Sequence, residues 1–271
     1  MPTFGPLLMF GSGETSPSGR AAHEYVFQQL GAPVDIAILD TPAGFETNAK
    51  QVVERIAEFL RRSLTNYRPT IELVHATRAD TGTNDSATLA ALLRANYLFA
   101  GPGSPSYAVR HLRESLALEY LCARWQAGAA LVTASAASLA LSRWTIPVYE
   151  IFKAGHDPHW IDGLDILARI DMSLAIVPHW NNTEGSRDAD FTRCFLGAQR
   201  FAALRASLDP SVTILGIDEQ TSVLLEPTAD VGRVFGAGTV TIERDGKVIV
   251  LDSGATFALS LLRRSKDDLG E

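Results

Sequence analysis

Short apolar segments alternate with amphipathic segments along most of this chain, and that alternation limits the folds it can adopt. The segments that we interpret as buried strands cover residues 7–11, 34–39, 70–75, 97–100, 129–133, 173–178 and 212–217. Helical patterns lie between them; in residues 46–64, apolar side chains recur every three or four positions. Near-continuous apolar strands separated by helices are typical of a mostly parallel sheet covered on both faces. The sequence therefore predicts a three-layer α/β sandwich.

The C-terminal part of the chain has a different pattern. Short strands are predicted at residues 221–226, 231–235, 239–244 and 247–251, with a hairpin turn at Asp245-Gly246. We expect them to form a small antiparallel β-extension. A helix is also predicted from about Asp190 to Leu208, because Asp188 and Asp190 near its start and Arg205 near its end suit the helix dipole. No linker, repeat or low-complexity stretch divides the sequence, so residues 1–271 are interpreted as a single domain.

Composition excludes several functional classes. The chain has 271 residues, 46% of them hydrophobic and 20% charged, which suits one large α/β domain. Its net charge is −7, and it lacks a basic patch interleaved with aromatic residues, which argues against a nucleic acid as partner. The two cysteines, Cys122 and Cys194, lie in helix-like segments and indicate a reducing compartment. The first apolar run is too short for a signal peptide or a membrane span, so we expect a cytoplasmic protein without a membrane partner.

The segment 129–141, AALVTASAASLAL, contains the strongest candidate for a catalytic nucleophile in the chain. An apolar strand is followed by Ser135 among very small residues and then by an Ala/Leu helix pattern. Strand, tight turn and helix with a serine at the turn form a nucleophile elbow. The usual hydrolase pattern is G-x-S-x-G, but here Thr133 and Ala137 replace both glycines. A serine that only caps a helix is the alternative interpretation.

Other polar groups follow the predicted strands, at the edge of the sheet where α/β proteins place their sites. His179 follows one strand, and Asp218 and Glu219 follow another. A serine hydrolase needs a nucleophile, a base and an acid that orients the base, which Ser135, His179 and one of the two carboxylates would supply. Adjacent strand residues face opposite sides, so only Asp218 or Glu219 can reach the histidine.

The N–H groups of Gly103 and Ala136 are the candidate oxyanion donors, because one lies in the GPGSP loop and the other at a helix start.

The order serine, histidine, acid resembles that of the dipeptidase E and cyanophycinase family of serine peptidases. The resemblance is carried by residues 10–14 (FGSGE), 99–112 (FAGPGSPSYAVRHL), 133–142 (TASAASLALS), 178–180 (PHW) and 216–225 (GIDEQTSVLL). It implies a class I glutamine amidotransferase-like fold, a sheet of flavodoxin-like type, and Glu219 rather than Asp218 as the acid. It also implies a homodimer, for which Trp125, Trp144 and Trp160 offer apolar anchors.

Candidate substrate-binding residues surround these motifs. Ser104 stands where cyanophycinase has a pocket glutamine, Arg143 could bind a carboxylate, and Asn181 and Asn182 follow the histidine. Tyr149, Glu150 and Lys153 form a polar-bearing segment that could line a pocket particular to this chain.

The chain also departs from the family pattern. The arginine cluster that follows the histidine in cyanophycinase is absent, with Arg187 and Arg193 further along, so cleavage of cyanophycin is not expected. We expect a serine peptidase or amidase acting on a small peptide or amide, with an acidic, aspartyl residue as one option.

Two other functions stay open. The altered elbow would also suit a non-catalytic relative that binds a small metabolite. A glutaminase-like amidotransferase subunit is a third hypothesis. The absence of a cysteine at the elbow argues against it. No cofactor is expected, and no metal site, because His156, His159 and His179 come without a carboxylate pattern.

Overall fold

The computed structural model describes residues 3–184 and 189–263. Its strands are β1 (Leu7–Phe10), β2 (Asp35–Leu39), β3 (Thr70–Val74), β4 (Tyr97–Ala100), β5 (Ala130–Ala134), β6 (Trp144–Thr145), β7 (Ile161–Asp162), β8 (Leu174–Val177), β9 (Thr213–Ile217), β10 (Thr221–Glu226), β11 (Val231–Gly236), β12 (Thr239–Arg244), β13 (Lys247–Asp252) and β14 (Thr256–Ala258). Its α-helices are α1 (Pro17–Leu30), α2 (Ala49–Ser63), α3 (Ala90–Arg94), α4 (Pro105–Leu112), α5 (Leu116–Gln126), α6 (Ala136–Leu141), α7 (Val148–Phe152) and α8 (Ala198–Ala206).

The described residues form a main sheet with the strand order β14-β11-β10-β1-β5-β4-β2-β3. The five strands from β1 to β3 in that order are parallel, whereas β10, β11 and β14 pair antiparallel. Side chains alternate between the faces, so that Leu8 packs under α1 and α2 and Leu7 packs with α4 and α5 on the other side. The three-layer α/β fold is thereby confirmed.

The strands that precede His179 and Glu219 belong to a second sheet. Its order in the described residues is β13-β12-β9-β8, in which β8 and β9 run parallel. The C-terminal strands form the antiparallel extensions of both sheets: β10, β11 and β14 extend the main sheet beyond β1, and β12 and β13 extend the second sheet beyond β9. β10 lies inside the main sheet because it is buried along almost its whole length and needs a covered position.

The helix predicted from Asp190 begins later than expected, since α8 starts at Ala198. Arg193, Cys194 and Phe195 have φ values of 56°, 58° and 69°, which lie in the left-handed region and interrupt a helix. Cys194 is therefore buried in a turn rather than in a helix, and Asp188 lies outside the described residues.

No helix within residues 3–184 and 189–263 is long and apolar enough to cross a membrane.

Candidate active site

Ser135 stands on a sharp turn between β5 and α6. Its φ of 51° and ψ of −109° are strained for a residue with a side chain. The turn is fixed on both sides, because the Ser135 N–H donates to the Phe10 carbonyl at 3.1 Å and the Leu139 N–H donates to the Ser135 carbonyl at 3.0 Å. Ala136 and Ala137 beside it are almost fully buried, so only small side chains fit there. Ala137 lies inside α6, where alanine is the best helix former, and the fold accommodates it in place of glycine.

The Ser135 hydroxyl is linked through an imidazole to a carboxylate. Ser135 Oγ lies 2.8 Å from His179 Nε2, and His179 Nδ1 lies 2.7 Å from Glu219 Oε1. The His179 backbone has a φ of 52° at the end of β8, and its carbonyl accepts hydrogen bonds from the N–H groups of Asn182 and Cys194, both at 3.2 Å. The two ring nitrogens therefore face different partners in a fixed orientation.

Ser12 and Asn181 hold Glu219 from the side away from the imidazole. The Ser12 hydroxyl donates to Glu219 Oε2 and accepts the Gln220 N–H at 2.9 Å. The Asn181 Oδ1 accepts the Glu219 N–H at 2.7 Å. Burial raises the pKa of Glu219, but His179 and the Ser12 hydroxyl outweigh that effect, and the pKa lies below its ordinary value. The carboxylate is therefore ionised beside the imidazole at neutral pH.

Asp218, the alternative acid, faces the other way. Its Oδ2 accepts the backbone N–H of Thr239 at 2.8 Å and the Thr239 hydroxyl at 2.9 Å. Asp218 thus joins β9 to β12, as the alternation of adjacent residues predicts. Glu219 is the one that contacts His179.

Two backbone groups border the same cavity as Ser135. Gly103 has a φ of 148°, and a Cβ there would lie 1.9 Å from the Pro42 carbonyl oxygen, so only glycine fits. Ala136 is the first residue of α6, where an N–H has no partner inside the helix. Both residues line the cavity together with Ser135.

The cavity has a volume of about 390 Å³, which falls in the range of small-molecule sites. It is lined by Glu46, Val52, Pro102, Gly103, Pro105, Ser135, Ala136, Leu139, Val148, Tyr149, Phe152, Lys153, His179, Cys194 and Phe195. The sequence pointed to Tyr149 and Lys153 but missed Glu46, Phe152 and Phe195. Glu46 lies in the loop that follows β2, so its position at a strand end is the sequence signal that indicates it.

No protein-family model matches the sequence, and no curated protein matches it either. Two solved structures are similar over nearly their whole length. A peptidase from an acI-B1 actinobacterium superposes with a TM-score of 0.73 at 18% identity, covering 95% of this chain and 98% of that one. A protein of Listeria monocytogenes EGD-e described as a candidate Peptidase E gives a TM-score of 0.56 at 13% identity, covering 92% and 98%.

This chain has the fold of those two proteins. At such low identity the similarity establishes the architecture, and the chemistry has to be argued from the side chains.

The four side chains predicted to bind substrate have other partners. Ser104 caps α4 by accepting the Tyr107 N–H at 3.2 Å, and Arg143 forms an ion pair with Asp165 at 3.0 Å. Asn181 holds the Glu219 backbone, and the Oδ1 of buried Asn182 accepts the Glu184 N–H at 2.9 Å. None of these four described residues is among those that line the cavity. Their role as substrate ligands stays a prediction.

The remaining polar candidates also have ordinary structural explanations. His156 and His159 stack on each other with centroids 6.3 Å apart, and no group of three or more His, Cys, Asp or Glu residues in the described part of the chain is arranged to hold a metal ion. Glu150 bonds to the Ser106 hydroxyl rather than lining the cavity. Cys194 does line it, but burial raises the pKa of its thiol well above the ordinary value, which disfavours the thiolate that a cysteine nucleophile needs. Arg187 lies outside the described residues.

Proposed function

We propose that this protein is a serine peptidase or amidase that cleaves a small peptide or amide. The observation that carries the proposal is the hydrogen-bonded series Ser135–His179–Glu219 at the wall of a cavity. A serine hydroxyl becomes a useful nucleophile when an adjacent base can take its proton and a third group orients that base. The shared fold with proteins described as peptidases supports the same reaction class.

In the proposed mechanism, Ser135 Oγ attacks the carbonyl carbon of the substrate and its proton moves to His179 Nε2. The Glu219 carboxylate stabilises the imidazolium through Nδ1. The N–H groups of Gly103 and Ala136 bind the negatively charged oxygen. When the tetrahedral intermediate collapses, His179 returns the proton to the leaving amine and an acyl-Ser135 ester remains. Water, deprotonated by the same imidazole, then hydrolyses that ester and regenerates the free hydroxyl.

A homodimer is part of the proposal, and the half-buried Trp144 and Trp160 remain candidate anchors for it, whereas Trp125 does not. Trp125 is completely buried, and its Nε1 donates to the Gly5 carbonyl at 2.9 Å. The apolar side chains of Val248, Ile249 and Val250 on β13 are exposed and offer a better anchor. Sedimentation at micromolar concentration tests the point, and a monomer there would refute the dimer. Both described cysteines are free and buried, which supports the cytoplasm as the compartment.

A panel of dipeptides and amino acid amides tests the proposed reaction. Wild-type protein is expected to release free amine from at least one member, whereas Ser135→Ala and His179→Ala are expected to be inactive although folded. A wild-type protein that hydrolyses nothing, yet binds a panel member tightly, would favour the non-catalytic binding protein instead.

A further inference from the structure

Most of the residues that line the cavity with Ser135 are apolar, and together they form its apolar wall. Helix α7 contributes Val148, Tyr149 and Phe152, which follow the spacing of one helix face, and Phe195 adds a further aromatic ring. From this wall we infer that the protein selects substrates whose acyl residue carries an aromatic or branched aliphatic side chain. The inference rests on the proposed function, since it names the substrate class of the same site.

The aromatic part of the wall is held in place by its own packing. The Phe152 ring lies 5.4 Å from that of Phe195 and 5.3 Å from that of Phe191. The Tyr149 ring meets Phe45 edge-on at 5.6 Å. These centroid distances are typical of favourable aromatic pairs. A substrate side chain therefore meets a preformed apolar surface and gains from burial without reorganising it.

The charges around the cavity disfavour an acidic side chain. Glu46 lines the cavity, and no hydrogen bond or ion pair holds its carboxylate among the described residues. Two arginines considered from the sequence are engaged elsewhere: the Arg193 guanidinium stacks 3.8 Å from the Trp180 ring, and Arg143 pairs with Asp165.

One cation also lines the cavity. Lys153 is exposed, with its ammonium 4.8 Å from the Phe152 ring centre. An exposed, hydrated ammonium is a weak site for a carboxylate. The aspartyl option drawn from the sequence is therefore the less favoured one.

The test uses diphenyl phosphonate analogues of phenylalanine, leucine and aspartate. Ser135 Oγ attacks phosphorus, phenol leaves and a phosphonylated serine remains, so the labelling rate reports how well each side chain is accommodated. We expect the phenylalanine and leucine reagents to label at least about tenfold faster than the aspartate reagent, as burial of one apolar side chain allows. Equal or faster labelling by the aspartate reagent would overturn the inference.

Two variants test whether the cavity wall determines the substrate selectivity. Tyr149 is 37% exposed, so Tyr149→Arg places a cation at the cavity without emptying the core. It should reduce the apolar-to-acidic rate ratio by about tenfold. Tyr107 packs on the same Phe45 ring, at 5.5 Å, but does not line the cavity, so Tyr107→Arg is the matched control and should keep the wild-type ratio. If the ratio falls equally in both variants, the cavity wall is not the selector.

A fluorophosphonate without an amino acid side chain distinguishes failure of the inferred substrate class from failure of the proposed function. If it labels Ser135 while the aspartate reagent is preferred, the inference fails and the proposed function stands. If neither it nor any of the phosphonates labels Ser135, both fail together.

Discussion

Replacement of Glu219 by glutamine keeps the shape of the side chain and removes its charge. Glu219 Oε1 accepts the His179 Nδ1–H at 2.7 Å, so the carboxylate faces the imidazolium that forms during the reaction. The Glu219 side chain is 27% exposed and the His179 side chain 16% exposed. An effective dielectric constant between those of water and a dry protein interior therefore applies to the pair. Two unit charges about 4 Å apart at an effective dielectric constant of about 20 interact by about 4 kcal/mol. Since about 1.4 kcal/mol is a factor of ten in rate, Glu219→Gln should lower kcat about 10³-fold.

The assay compares kcat, KM and melting temperature for Glu219→Gln and for Asp218→Asn, its matched control. Both variants remove one negative charge at the end of β9, but Asp218 bonds to Thr239 rather than to His179. Asparagine can still accept those bonds, so kcat of Asp218→Asn should stay within about tenfold of wild type. KM should change little in either variant. Wild-type kcat in Glu219→Gln, or equal losses in both variants, would refute the reasoning.

Three further predictions concern Ser135, Ser12 and the fully buried His23. Ser135→Ala should abolish hydrolysis and leave the melting temperature unchanged, because the Ser135 side chain makes no capping bond to α6; full activity with a lowered melting temperature would mean that the serine is structural. Ser12→Ala removes a donor to the ionised Glu219, so the pKa of Glu219 should rise and kcat should fall about tenfold; an unchanged kcat would show that Ser12 does not support the acid. Burial lowers the pKa of His23 from 6.5 to about 4, so the unfolded chain binds a proton that the folded protein does not, and about 3 kcal/mol of unfolding free energy should be lost as pH falls from about 6.5 to about 4. Urea titrations at several pH values should show this slope in wild type and a weaker one in His23→Gln, and equal slopes would contradict the assignment.

Most strands were predictable from the sequence. A strand buried on both faces is a continuous apolar run, which distinguishes it from the polar loops around it. The strand bounds at β4, β10 and β12 agree with the pattern to the residue. The partner of each strand was not predictable in the same way, since an apolar run reports burial and not which neighbour supplies it. The pattern therefore predicted the antiparallel extension without showing that β10 joins it to β1.

The late start of α8 has a local cause. The segment before it reads as helical, but Asp190 accepts the N–H groups of Thr192 and Ala198 and stabilises a turn in place of the first helical residues. Side chain to backbone bonds of this kind compete with helix formation, and propensity alone does not reveal them.

The reactive groups of the candidate site were predictable because each follows a strand at the edge where α/β sheets gather their functional residues. The cavity wall was harder, since Glu46, Phe152 and Phe195 come from segments far apart in the sequence and carry no motif. Ser104, predicted near these motifs to bind substrate, accepts the Tyr107 N–H and caps α4.

Site-mapped labelling by a fluorophosphonate is the most direct test of the central claim that His179 and Glu219 activate Ser135. The account predicts a single covalent adduct on the peptide containing Ser135 in wild-type protein, no adduct in Ser135→Ala, and labelling slowed by orders of magnitude in His179→Ala, whose fold should be intact because His179 is a polar residue at the cavity wall. No adduct on wild-type protein, an adduct on a different residue, or labelling of His179→Ala at the wild-type rate would contradict it.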